Sequence, residues 1–294
     1  RQEDTAAHLH APVHQQHMAK DQEDHPAHAA PVRLAFRISY IGSRFFGSQM
    51  QANQRTVEGE FIAASERLSL FHDWREAGFL FAGRTDRGVH ALGQVAAFST
   101  CAPDRAIQTI NTQLPPDCWC TAYAEVPSLF HPRYDAKKRT YRYYCADRPA
   151  DIRAMAQAAG RFVGTHNFTN FARIEDRNPF RTVLAATVAE EGDVVYLEVT
   201  AESFLWHQVR CMATALIRVG DGEAGEDSID ELLTAEATKP LQPAPAEGLI
   251  LWDTDCGISW TPLPAGGRST RFLDQLMRHH ALMETVCRVI TPEK

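Results

Sequence analysis

The sequence predicts an α+β protein made of α/β layers, arranged as two halves that each carry strands and helices. Three observations support this. Residues 33–40 alternate polar and apolar, with Leu34, Phe36, Ile38 and Tyr40 on one face, and Val57, Phe61, Ala64 and Leu68 then recur at helical spacing. Two apolar runs, 79–82 and 95–98, flank a polar turn bounded by Gly83 and Gly88. Beyond residue 150 a helix, a strand hairpin and a second helix repeat the scheme.

Taken in order, residues 1–31 are poor in large apolar side chains and rich in His, Gln, Ala and charge. Such a segment buries too little surface to offset its ordering entropy, so a mobile tail is expected. His10, His14 and His17 lie at helical spacing there, but no cysteine or carboxylate cage accompanies them. A solvated tail is expected rather than a metal site.

The ordered fold begins near Val32. The alternation at 33–40 predicts a half-buried strand. A glycine-punctuated loop at 41–49 leads to Thr56, an N-cap followed by Glu58 and Glu60 at the positive end of a helix dipole. The turn at 83–88 then sits between two strands, which is how a scaffold presents a reactive side chain, here Asp86. Read locally, the same turn also fits a hairpin whose Asp and Arg form a solvated ion pair.

Residues 105–114 read as a second helix, stopped by Pro115 and Pro116, and 118–126 as a strand. Between 133 and 142, Arg133, Lys137, Lys138, Arg139 and Arg142 stand against Asp135 alone, with Tyr134 and Tyr141 interleaved. Cations for phosphates and rings for bases are what an RNA surface needs. An ordinary strand with packed tyrosines and solvated lysines shows the same pattern. Residues 151–162 predict a helix, and strands at 181–188 and 194–199 meet at the turn Gly192-Asp193. Val209, Met212, Ala213, Leu216 and Val219 line one side of the next helix, which Gly220 ends. A short helix at 227–233 and a strand at 250–252 follow. The helix at 268–290 carries Phe272, Leu276, Met283, Cys287 and Ile290 about four apart, a face for packing on the body or for a partner.

The 294 residues suffice for one large core or two smaller ones. A net charge of −7 argues against non-specific affinity for nucleic acid but permits a local basic cleft. The seven cysteines include no CxxC and read as reduced thiols, neither a disulfide framework nor a zinc site. No run of about 18 apolar residues predicts a membrane span, and the start lacks an apolar signal-peptide core. A cytoplasmic protein is expected.

Six ordered motifs then resemble one family. Gly83-Arg84-Thr85-Asp86-Arg87-Gly88-Val89-His90-Ala91-Leu92-Gly93-Gln94-Val95 meets every fixed position of GRTD-x-GVHA-x-GQV, the signature of the tRNA pseudouridine synthase A family. Residues 40–51 resemble its first motif through Gly42, Phe45, Gly47, Gln49 and Gln51. Phe130, His131, Arg133, Ala136, Arg139 and Tyr141 match F-H-x-R-x-x-A-x-x-R-x-Y, and Gly164, His166, Asn167, Phe168 and Phe171 match G-x-H-[DN]-F-x-x-F. Phe204, Leu205, Val209 and Arg210 match FLxxxVR, and Ala244, Pro245, Gly248 and Leu249 match A-P-x-x-G-L. Trp206-His207-Gln208 looks closer to archaeal and eukaryotic versions than to bacterial ones, where Asn-Met commonly precedes Val-Arg.

The resemblance implies the pseudouridine synthase fold: two α/β subdomains whose antiparallel sheets meet at a central active-site cleft. Residues 32–138 would form the N-terminal subdomain with the catalytic loop, 139–262 the C-terminal one, and 263–294 a helical extension. It implies Asp86 as nucleophile and Tyr141 as the ring that stacks on the target base and contacts Asp86. Arg84 and Arg210 would keep Asp86 anionic, since neighbouring cations depress a carboxylate pKa. Leu249 would pack beneath the site, and Arg139, Lys137 and Lys138 would contact RNA. His207 is open to two readings, an acid/base group or a buried structural histidine.

The implied reaction is uridine to pseudouridine in the anticodon stem-loop of tRNA, at positions 38–40 in that family, by a homodimer without metal or organic cofactor. Two other classes share parts of the pattern. A glycosidase would share the carboxylate chemistry, and a non-catalytic RNA-binding protein would keep the basic-aromatic run without needing Asp86.

Overall fold

The computed structural model describes residues 30–174, 178–234, 236 and 241–291. The histidines of the expected tail all lie outside them. The first strand, β1 (Val32–Tyr40), is buried on both faces, where the alternation predicts one. It runs antiparallel between β3 (His90–Thr100) and β4 (Cys118–Glu125). On one face Phe98 stacks on Phe36 and on Phe79, and Phe61 of α1 (Val57–Arg67) packs at an angle against Phe36 and Phe98, with Ile110 of α2 (Pro103–Gln113) in the same core. On the other, Ala35, Val95, Ala97 and Ala124 are covered by Val126, Phe130 and Cys256. The alternation is real, but its small residues face a second core built from remote segments. Arg33 is tolerated in that layer because it donates to the carbonyls of Phe130 (2.7 Å) and Gly78 (3.1 Å).

The sheet has ten strands in the order β10 (Thr261–Pro262), β4, β1, β3, β9 (Leu249–Asp255), β5 (Lys138–Tyr144), β8 (Val194–Ala201), β7 (Phe180–Glu191), β6 (Gly164–Asn167). The short β2 (Leu80–Phe81) pairs with β3 off this path. Every pairing is antiparallel except β3 with β9. The two antiparallel sheets expected are thus arms of one mixed sheet. β9 joins them, with Ala91 of one arm and Tyr141 of the other both in register with Leu251.

In the second arm, α3 (Ile152–Gly160) packs on β7, and α4 (Gln208–Gly220) packs on α3 and β5. Asp151 caps α3 by accepting the Ala154 N–H, as Thr56 caps α1 by accepting that of Gly59. α5 (Ser228–Thr234) follows. The last helix, α6 (Gly267–Ile290), is seated at its first turns, where Ser269 is buried and Arg268 donates to the Leu114 carbonyl. Met277, Leu282, Met283, Val286, Val289 and Ile290 are exposed along the rest of it. Among the described residues no helix is long and apolar enough to cross a membrane.

Candidate active site

The loop between β2 and β3 carries Asp86, and the chain around it is pinned by its own motif residues. The Thr85 N–H donates to Ser48 Oγ (2.8 Å), the Ser48 N–H donates to the Thr85 carbonyl (3.1 Å), and Tyr40 and Thr85 share a hydroxyl bond of 2.7 Å. Gln94 Nε2 donates to the Gly83 carbonyl (2.8 Å). Two glycines are required by this contact. A Cβ on Gly42 would fall 2.0 Å from the Val89 carbonyl oxygen, and Gly47 has φ +92° with the Thr85 carbonyl against it. His90 accepts the Gly42 N–H on Nδ1 (3.0 Å), so that nitrogen is bare, and burial lowers the pKa of the ring.

The other arm reaches the carboxylate from the start of α4. Trp206 Nε1 donates to Asp86 Oδ1 at 2.8 Å. Arg210 Nη1 lies 3.3 Å and His207 Nε2 3.4 Å from Oδ2. His207 sits in the left-handed region at φ +66°, an uncommon conformation outside glycine, just before α4. Burial lowers its pKa, with the Asp86 charge pulling the other way. Arg210 is itself held by donation to the Ala244 carbonyl (2.6 Å), which ties it to the segment leading into β9.

These contacts line a cleft of about 790 Å³. Tyr141 stands in its wall, buried, edge-on to Phe204 at 5.2 Å. Burial pushes the Tyr141 phenol up to about 12, with Arg139 opposing and Asp86 reinforcing the shift. No hydrogen bond joins it to Asp86 among the described residues. Leu249 is buried and lines the same cleft.

Four further residues named from the sequence lie around or beside the cleft. Among the described residues Arg84 makes no ion pair with Asp86; its guanidinium lies over the Trp206 ring, 5.3 Å from the centroid. The turn redirects it to the indole that already holds the carboxylate. Arg139 lines the cleft but donates to the carbonyls of Ala82 (3.0 Å), Arg133 (2.9 Å) and Glu202 (2.9 Å). Lys137 and Lys138 are exposed and do not line the cleft, and Lys138 lies 3.8 Å from Asp255.

Two residues were missed by sequence reasoning. Trp206 is the nearest donor to Asp86, and Arg173 lies over its ring at 4.7 Å. The signal that could have found Trp206 is its place four residues before Arg210, across a helix start. Arg173 gives no local signal. With both counted, Arg84, Arg133, Arg139, Arg173 and Arg210 line the cleft against Glu58, Asp86 and Glu202. The cleft is therefore cationic on a chain whose net charge is −7. No group of three His, Cys, Asp or Glu able to hold a metal occurs among the described residues.

A family model described as tRNA pseudouridine synthase matches residues 37–135 and 158–255. The "tRNA pseudouridine synthase A" of Methanoculleus marisnigri is 56% identical over 255 residues, covering 87% of this chain and 94% of that protein. That of Methanosphaerula palustris is 50% identical over 255 residues, covering 87% and 91%. That of Thermococcus sibiricus is 41% identical over 223 residues, covering 76% and 84%. The motif of residues 83–95 on a pinned turn, a cationic cleft around it and relatives of this closeness over most of the chain agree: the chain belongs to the tRNA pseudouridine synthase family.

Proposed function

We propose that this chain isomerises uridine to pseudouridine in tRNA with Asp86 as the nucleophile. One observation supports this best. In an arginine-lined, aromatic cleft the Asp86 carboxylate has both oxygens met, by Trp206, Arg210 and His207. Carboxylates are established nucleophiles at sugar centres. The cleft volume lies in the range of pockets that hold small ligands, so a uridine flipped from its stack fits its scale.

Asp86 attacks at the sugar C1′ or at the base. The C1′–N1 bond breaks, the uracil turns, and C5 joins C1′. C5 gives up its proton and N1 gains one, so substrate and product are isomers and nothing is consumed. Tyr141, neutral at working pH, supplies the ring on which the uracil stacks. Leu249 packs beneath it, and Arg210 balances the carboxylate charge. Arg139 braces the turn at 131–136 against the loop of Asp86, and Lys137 and Lys138 extend the cationic track beyond the cleft. The proposed targets are the uridines of the anticodon stem-loop, and the proposed active form is a cytoplasmic homodimer.

The test is to incubate the purified protein with an unmodified tRNA transcript, digest it and identify the nucleosides. Pseudouridine in the anticodon arm is expected. Free uracil would make the protein a glycosidase, and unchanged RNA a binding module. Asp86→Asn keeps the shape and removes the anion. It should abolish product while tRNA binding survives, because phosphate contacts dominate affinity. Light scattering giving the mass of a single chain would overturn the homodimer.

A further inference from the structure

We infer that Trp206 is a positioning residue for the nucleophile: its indole N–H fixes the rotation of the Asp86 carboxylate in the cleft. The inference rests on the reading of Asp86 given above. A carboxylate's terminal torsion is broad and roughly two-fold, so without a fixed donor the two oxygens exchange places freely. The indole nitrogen is a single donor on a rigid ring and accepts nothing. At 2.8 Å it selects Oδ1, while Arg210 and His207 meet Oδ2. The two oxygens are thereby made inequivalent. Oδ2 faces a permanent cation, and Oδ1 takes one neutral hydrogen bond and keeps a lone pair for reaction.

The ring is itself held at several points. The Arg173 N–H donates to the Trp206 carbonyl at 3.0 Å, and the guanidiniums of Arg84 and Arg173 lie over the indole. The left-handed backbone of His207 turns the chain between Trp206 and α4. That turn lets Trp206 and Arg210 converge on one carboxylate from the two sides of a helix start. Arg84, the motif residue that precedes Asp86 by two, therefore acts on the nucleophile through Trp206.

The test isolates the N–H. Trp206→Phe keeps a ring for the two arginines and deletes the donor. Site-specific replacement of Trp206 by 3-benzothienylalanine keeps the full bicycle and puts sulfur in place of N–H. Single-turnover pseudouridine formation is measured at saturating enzyme, beside tRNA Kd and melting temperature. Both replacements should slow the step by about 10–100-fold, the rate equivalent of one hydrogen bond to a charged group, with Kd and melting temperature unchanged. A benzothienyl variant at the wild-type rate would overturn the inference, as would a loss confined to Kd. Asp86→Asn is run in parallel. Pseudouridine formed by it would overturn the reading of Asp86 itself, which a wild-type rate in the benzothienyl variant would leave standing.

Discussion

The two arms of the sheet are built differently. In the first, β1 has a covered face on each side, and the rings of Phe36, Phe61, Phe71, Phe79 and Phe98 interlock. In the second, β7 is covered on one side by α3, while Phe180 is 52% and Leu184 46% exposed. The arm that carries Asp86 has little freedom, and the arm that carries Tyr141, Trp206 and Arg210 keeps an open face. The difference teaches where exactness resides. The loop of Asp86 is tied through Thr85 to a strand covered on both faces, and Trp206 and Arg210 of the other arm reach the carboxylate by single hydrogen bonds.

The largest test of that contrast is chemical. Tyr141→Phe keeps the stacking ring on the second arm and removes its hydroxyl. It should slow single-turnover pseudouridine formation by about two to four decades if the hydroxyl manages a proton. A wild-type rate would leave Tyr141 a purely shape-giving role. Next, Phe98→Ala in the first arm should cost about 3–5 kcal/mol in urea unfolding, whereas Leu184→Ala should change stability by no more than about 0.5 kcal/mol. Equal losses would erase the distinction between the arms. Smaller still are the two caps: Thr56→Ala and Asp151→Ala should each cost about 1 kcal/mol. The buried Thr56 in the first arm is expected to exceed the exposed Asp151.

A pH series compares one histidine from each arm. Burial lowers the pKa of both His90 and His207 below 6.5 in the folded state. The unfolded chain therefore takes up protons first as pH falls. Their contribution to stability is fully present above 6.5 and is lost progressively below it, until the pH passes the folded values. His90→Asn removes that titration and keeps an acceptor for the Gly42 N–H. The urea midpoint of this variant should fall less between about pH 7.5 and pH 5 than that of the wild type. An unchanged acid slope would mean His90 is not linked to folding. The smallest effect concerns the RNA track. Neutralising Lys137 and Lys138 should flatten the logarithmic salt dependence of tRNA affinity by about 0.7–0.9 for each phosphate left without its cation. An unchanged slope would confine the RNA to the cleft arginines.

Most elements were legible because their signals are local. The cap at Thr56, the proline stop after α2, the hairpin at Gly192 and the buried stripe of α4 all lie within a few residues of what they specify. The loop of Asp86 was legible as an ordered string. What escaped is long-range. The second core over β1 comes from segments near 130 and 256, and no periodicity in residues 33–40 announces them. The bond from Trp206 to Asp86 spans 120 residues. Arg84 was expected to hold Asp86 anionic, but a turn points neighbouring side chains in different directions, and the indole receives it instead.

The position of β9 has a consequence for synthesis. Among the described residues it is made after every other strand except the short β10, yet it lies between β3 and β5. A nascent chain emerging from the ribosome presents Asp86, Tyr141, Trp206 and Arg210 long before Leu249. Until then β3 has an unpaired edge over His90 and Ala91, and β5 has one along its length. A fragment ending ahead of Leu249 would own each of the four residues but lack the β9 ladder that joins the two arms carrying them. The two arms are thus joined only once β9 has been made, with two sticky edges awaiting that one strand.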